Sequence, residues 1–233
     1  MTITLYDLAG AEDERRFSPY CWRVKMALLR KSLAFDTIPW RFTEKDRIAF
    51  SGQELVPVMV DGERTLSDSW NIALYLDEKY PDRPALMDSE QARGAIRAFK
   101  FWCERTVHAS LMRVIVLDLY ARIHEKDKAY FRVSREKRLG KTLEEIGAES
   151  PQALVAFRKV LDPIRPVLVD QPYLGGREPS FADFILFGAF QWSRVVSPTR
   201  LLEPDDPVYA WRERLLDAHD GYSRKALGYP VWA

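Results

Sequence analysis

The sequence predicts an α/β domain over residues 1–83, a linker over 84–92 and an all-α helical bundle over 93–233. Three observations carry this division. Short β-branched and aromatic runs alternate with helical patterns in the order βαβ then ββα up to Pro84. Beyond Pro84 the strand signals stop, and apolar residues recur every three or four positions. A chain of 233 residues with 47% hydrophobic content can bury a core in each part.

ITLY, near the start, reads as the first strand. After the polar loop AGAEDERR, Ser18 supplies an N-cap side chain and Pro19 a preset first helical residue, so a helix opens there. AFDTIPW is the second strand. VPVMV, then DG, then RTL form a hairpin, with Asp61 and Gly62 expected to supply the positive φ of a tight turn. The next helix starts at about Ser69, places Ile72, Leu76 and Tyr80 four apart, and stops at Pro81. A parallel unit joined to a hairpin unit is the plan of a thioredoxin-like domain.

In the second half, Ile96, Phe99, Cys103, Val107, Leu111 and Val114 form one helical stripe, and Phe101, His108, Met112, Ile115 and Leu119 a second on the same helix. Such a helix is too apolar for an ordinary surface position. The charged segment 121–149 reads as a solvated helix end plus loop, broken at Gly140. Ser150 and Pro151 restart a helix that Pro163 and Pro166 interrupt. In PSFADFILFGAFQW, Ser180 and Asp183 have capping-box spacing, and the apolar run behind them marks a central, buried helix. Asp206, Pro207 and Gly221 bound the last helix.

Charge excludes one class of partner. The 35 Lys and Arg against 34 Asp and Glu give a net charge of +1, without the clustered basic face of a nucleic-acid binder. The opening residues lack signal-peptide character and no apolar run is long enough for a membrane span, so a cytosolic protein is expected. In that reducing compartment Cys21 and Cys103 are not expected to pair. His108, His124 and His219 lack metal-ligand spacing with each other or with either cysteine, so no metal is expected.

Three short features can carry chemistry. SPYC at residues 18–21 differs by one letter from CPYC, the dithiol of glutaredoxins, with Ser18 replacing the attacking cysteine and Cys21 at the resolving position. A cis bond before Pro57 would turn the backbone N–H and C=O of Val56 outward as a strand-like pair for a peptide ligand. Asp68 and Ser69, at a helix start, suit a ligand with an α-carboxylate and an ammonium, although a plain helix cap uses the same residues.

Ser18, the VP at 56–57, the DS at 68–69 and the SFAD at 180–183, in this order and with the domain change between the third and fourth, resemble the cytosolic glutathione transferases over essentially the whole chain. SPYCWRVKMAL is similar to the serine-type zeta-class signature. LSDSWNIALYLDEKYPDRP and YFRVSREKRLGKTLEEI resemble bacterial glutathione-dependent β-etherases and related fungal transferases. The resemblance implies glutathione as cosubstrate: its cysteinyl part on Val56 and Pro57, its γ-glutamyl end on Asp68 and Ser69, and its sulfur beside Ser18, the catalytic residue, with Tyr20 and Gln53 also in contact. Tyr20, a backbone amide, or Tyr6 on the first strand are rival thiol donors. Leu55 departs from the family pattern, where a polar residue before Val-Pro helps bind the glycyl carboxylate; Gln53, Lys45 and Arg41 are the substitutes. Tyr20, Trp40, Phe42, His108 and Met112 can wall an apolar pocket for an aromatic electrophile, with aryloxide displacement in β-ether cleavage among the reactions open to it. A homodimer is also implied. Competing readings are a glutathione-dependent oxidoreductase working through Cys21 or an isomerase, and a non-catalytic carrier of hydrophobic ligands.

Overall fold

The computed structural model describes residues 2–230; Met1 and residues 231–233, the outer ends of the two expected domains, lie outside the described residues. The first half runs β1 (Ile3–Leu8), α1 (Pro19–Arg30), β2 (Phe35–Trp40), a 3-10 turn (Lys45–Ser51), β3 (Val58–Asp61), β4 (Arg64–Ser67) and α2 (Ser69–Lys79). The second half holds only helices: α3 (Glu90–Trp102), α4 (His108–Arg122), α5 (Glu125–Leu139), α6 (Leu143–Ala148) and α7 (Ser150–Val160), then α8 (Arg165–Asp170), α9 (Phe181–Val196) and α10 (Pro207–Lys225). The expected fold class, a thioredoxin-like sheet domain followed by a helical domain, is the one observed.

The sheet order is β2-β1-β3-β4. β2 runs parallel to β1, with Ile3 opposite Phe35, and β3 and β4 are antiparallel additions. The Val56–Pro57 peptide, immediately before β3, is cis. Asp61 pairs with Arg64, so the hairpin turn is Gly62 and Glu63, with only Gly62 at positive φ. Asp61 is therefore a strand residue and not the turn residue expected. Its carboxylate accepts hydrogen bonds from Tyr75, Lys79 and Tyr80 at 3.0, 2.9 and 2.8 Å, which ties the end of α2 to the hairpin.

Three expectations for the helical half change. A π-helical turn, Cys103–Val107, separates α3 from α4. A turn of this kind adds a residue and rotates the faces on either side of it. His108, Met112, Ile115 and Leu119 are accordingly buried, whereas Phe101 is 42% exposed. The segment expected to be a solvated helix end plus loop is instead two helices, α5 and α6: ion pairs Lys128–Glu125 and Arg132–Glu136 join successive turns of α5, and Gly140 ends it, where a break was expected, in the left-handed region at φ 74°. Ser150 does not cap α7; Glu149 holds that position, and the Ser150 hydroxyl donates to the Val114 carbonyl at 2.9 Å. α10 opens at Asp206 and Pro207 as expected, and its regular path breaks over Ala218–Gly221.

α9 is the central helix, and Arg194 is its one residue that is not buried. Both halves of the Ser180–Asp183 capping box form. The buried Asp183 carboxylate accepts from the Leu174, Gly175 and Ser180 amides at 2.7, 3.0 and 2.9 Å and from Trp211 Nε1 at 2.8 Å. Removal from water pushes its pKa up, and the four N–H donors work against that shift. One turn further on, α1 crosses α9 at Gly188. A Cβ there would stand 2.3 Å from the Pro19 carbonyl oxygen, so only glycine permits the crossing.

His108 fills the junction of these helices. Its ring meets Tyr20 edge-on at 5.5 Å and Trp192 at 5.8 Å between centroids. Burial, then the cations of Arg23 and Lys100, hold its pKa well below 6.5, so the ring is neutral in the folded chain.

Two outcomes follow. Gly188→Ala confronts a backbone oxygen that cannot rotate away, and about 2 kcal/mol of stability should be lost in a denaturant titration. The His108 contribution has the opposite character, because it depends on pH. An imidazole whose pKa is lower folded than unfolded adds stability above about 6.5 that is lost as pH falls, since only the unfolded chain takes the proton. Between pH 7.5 and pH 5.5 this amounts to about 1.4 kcal/mol. His108→Gln should show a correspondingly shallower slope over that range, with a residual slope from His219, whose pKa burial also lowers.

Candidate active site

A cavity of about 890 Å³ opens between the sheet domain and α4 and α5. Its floor is the start of α1. Ser18 is 3% exposed, lines the cavity, and accepts the Cys21 backbone N–H on its Oγ at 3.3 Å. While accepting that bond, the hydroxyl can still donate its proton, to the neighbouring Cys21 thiol or into the cavity. The first turn of α1 contains no acidic side chain, so the positive end of the helix is uncompensated.

The sheet side of the cavity holds Val56 and Pro57 ahead of β3, with Ser67, Asp68 and Ser69 beside them. Asp68 sits at φ 68° as the N-cap of α2, its carboxylate accepting from the Trp70 and Asn71 amides at 2.9 and 3.2 Å. The Ser69 hydroxyl is buried and has no hydrogen-bond partner among the described residues. A buried hydroxyl on a cavity wall is placed to bond a ligand, since leaving it unpaired costs about 1–3 kcal/mol. Gln53 and the 65% exposed Leu55 complete that edge.

The opposite wall is aromatic and apolar. Tyr20, Trp40 and Phe42 reach it from the first domain, and His108 and Met112 from α4. Phe42 also packs against Phe17 and Phe131, with centroids 6.1 Å away in each case, so the same ring serves the core and the cavity. Burial raises the Tyr20 phenol pKa, and the buried Arg23 guanidinium, 4.6 Å over its ring, opposes that shift. Ser180 and Asp183 are absent from the lining, consistent with a capping position on α9.

Several sequence candidates are committed elsewhere. Tyr6 is not at the cavity wall and packs against Phe50 at 5.5 Å. Arg41 donates to the Gly10 and Ala11 carbonyls and to Asp13, Lys45 pairs with Glu54 at 2.6 Å, and neither lines the cavity. The Cys21 thiol is fully buried, points at the Tyr6 carbonyl at 3.9 Å, and has its pKa pushed up by that burial. A thiol without access or thiolate character is unreactive.

Four arginines went unread in the sequence: Arg105 and Arg113 along α4 and the turn before it, and Arg135 and Arg138 on α5. Their helical spacing with Met112 and Leu139 was visible. What the spacing could not reveal is that α5 folds over the cavity mouth. It is fastened there by the buried Asp127, which takes the Phe42 and Thr43 backbone amides at 3.2 and 3.0 Å and the Thr43 hydroxyl at 2.7 Å.

Comparison with known proteins agrees with this architecture. Residues 14–84 match the glutathione S-transferase N-terminal domain and residues 95–215, half of the chain, the glutathione S-transferase C-terminal domain. A rice protein described as a probable glutathione S-transferase GSTU6 (Oryza sativa subsp. japonica) is 25% identical over 209 residues, covering 84% of this chain and 80% of its own. Glutathione transferase GSTFuA3 from Phanerochaete chrysosporium superposes with a TM-score of 0.76 at 26% identity over 95% of this chain and 92% of that one. The glutathione S-transferase CsGST63524 of Ceriporiopsis subvermispora, solved in complex with glutathione, shares the fold with a TM-score of 0.77 at 24% identity, covering 97% and 95%. With both domain signatures in order along one chain, on the fold and around the cavity described above, this protein belongs to the glutathione S-transferase family.

Proposed function

We propose that this chain is a serine-type glutathione transferase that delivers the glutathione thiolate to a hydrophobic, aromatic electrophile. The observation that carries the reading is the gathering, on one cavity, of the Ser18 hydroxyl at a helix start, the Val56 backbone and the orphaned Ser69 hydroxyl. Three groups of these types match the sulfur, the peptide and the γ-glutamyl end of one tripeptide.

In this reading Val56 pairs with the cysteinyl backbone, while Asp68 and Ser69 hold the γ-glutamyl end. Gln53, in place of the committed Arg41 and Lys45, lies on the glycyl side. The sulfur then rests at the start of α1. A cysteine-like thiol with a pKa of about 8.5 is mostly protonated at neutral pH. Lowering that value by two units takes about 2.7 kcal/mol, which the Ser18 O–H and the α1 terminus together can supply. Ser18 needs no general base because it stabilises a nucleophile and does not attack. The thiol proton leaves to solvent, a sulfur–carbon bond forms on the electrophile, and the leaving group departs with its electron pair. An aryloxide leaving group would make the same step a β-ether cleavage.

The buried, high-pKa thiol of Cys21 argues against the oxidoreductase alternative. Ser18→Ala should lower kcat on the order of a hundredfold while the KM for glutathione stays within about twofold. Steady-state kinetics with a chloronitrobenzene electrophile at pH 7 measure both, and an undiminished kcat would remove Ser18 from the mechanism.

A further inference from the structure

The helical wall of the cavity carries more positive charge than glutathione accounts for. Arg105, Arg113, Arg135 and Arg138 line it, and among the described residues none of the four forms an ion pair. By contrast, Arg23, Arg41 and Arg165 each hold a carboxylate within 2.8 Å. The two carboxylates on the cavity are already engaged. Glu104 takes Arg23 at 2.7 Å and Lys100 at 3.1 Å, and Asp68 caps α2. Since the whole chain has a net charge of only +1, this surplus is local and not a consequence of a basic composition.

Arg135 is the most constrained of the four. Its guanidinium lies 4.5 Å over Phe131 and 5.1 Å over Phe42, donates to the Ser134 hydroxyl at 2.8 Å, and keeps a buried Nε with no partner. Burial pulls its pKa down to about 10, so it remains cationic at neutral pH with its charge uncompensated. Arg138 lies one turn further along α5, where its charge acts on the Tyr20 phenol. Phe42, Met112 and Tyr130 line the same cavity as these cations. An apolar slot bordered by unpaired guanidinium groups suits a flat ring with a carboxylate on it, because guanidinium pairs with carboxylate through two parallel hydrogen bonds.

Resting on the transferase reading above, we propose that the electrophile is an aromatic carboxylic acid, its ring against Phe42 and Met112 and its carboxylate held by Arg135 and Arg138. These arginines belong to α4, the turn before it and α5, and they outnumber what one glycyl carboxylate needs.

A matched pair of substrates tests this: 4-chloro-3-nitrobenzoate and the neutral 4-chloro-3-nitrobenzamide. In both the glutathione sulfur bonds to the chlorine-bearing carbon and chloride leaves with the electron pair. The acid should have the higher kcat/KM on the order of tenfold, and Arg138→Ala should remove that preference through the KM for the acid. Equal turnover of the two by the unmodified protein overturns the proposal. So does an Arg138→Ala variant whose KM for glutathione rises as much as its KM for the acid, which would assign these arginines to glutathione instead. Unreactive 3-nitrobenzoate and 3-nitrobenzamide, titrated against the fluorescence of Trp40 and Trp192 on the cavity wall, give a readout independent of turnover. Tighter binding of the benzoate that is lost in Arg138→Ala upholds the acid site even where no glutathione conjugate forms, an outcome that would count against the transferase reading alone. Equal binding of the two ligands overturns the acid site whatever the turnover.

Discussion

The arrangement of this molecule depends on one backbone contact, the crossing of α1 over α9 where Gly188 lies against the Pro19 carbonyl. The residue before Pro19 is Ser18, so the contact that joins the two halves also fixes the hydroxyl on which the proposed chemistry rests. α9 can serve as the reference because it is itself immobilised. Its N-terminal amide groups, which water cannot reach, are satisfied by Ser180 and Asp183, and the same carboxylate binds the preceding loop and Trp211 of α10.

α1 is held on its other sides by charges taken out of water. Lys25 pairs with Asp7 of β1 at 2.8 Å, its ammonium 3.5 Å from the Trp22 ring centroid. Lys31 pairs at 2.7 Å with Asp77 of α2, whose oxygens also accept the Leu86 and Met87 amides just past the sheet domain. Pairs this deeply buried give back much of their attraction as desolvation, so their value lies less in net stability than in fixing one orientation of the helix. An orientation held by a sheet, a helix and a tight crossing leaves the Ser18 hydroxyl little to reorganise when a charge develops beside it. Such preorganisation is what makes a single hydrogen bond effective in a water-poor site.

The parts of this plan that were legible in the sequence are those written in residues no more than three apart. Ser18 with Pro19, Val56 with Pro57, Asp68 with Ser69 and Ser180 with Asp183 each announce a local backbone event, and each forms where the letters put it. Legibility ended where distant segments meet. Residues 121–149 read as solvated because they are rich in charge, yet Asp127 is completely buried and secures α5 against the loop after β2. The cavity therefore gained a cationic wall that no local pattern disclosed. Arg41 and Lys45 do not line the cavity, and only the folded chain shows that Asp13 and Glu54 hold them. The π turn at Cys103–Val107 had no sequence signature either, and beyond it both apolar stripes are buried while Phe101, before it, is exposed.

The most direct measurement is a titration of bound glutathione, following thiolate absorbance in the ultraviolet from pH 5 to pH 10 with the unmodified protein and with Ser18→Ala. A thiol stabilised as an anion by the Ser18 hydroxyl should titrate about two units below the free tripeptide in the unmodified protein and move most of the way back in the variant. A bound thiol that titrates like free glutathione, or one equally acidified without the Ser18 hydroxyl, would contradict the role assigned to the start of α1.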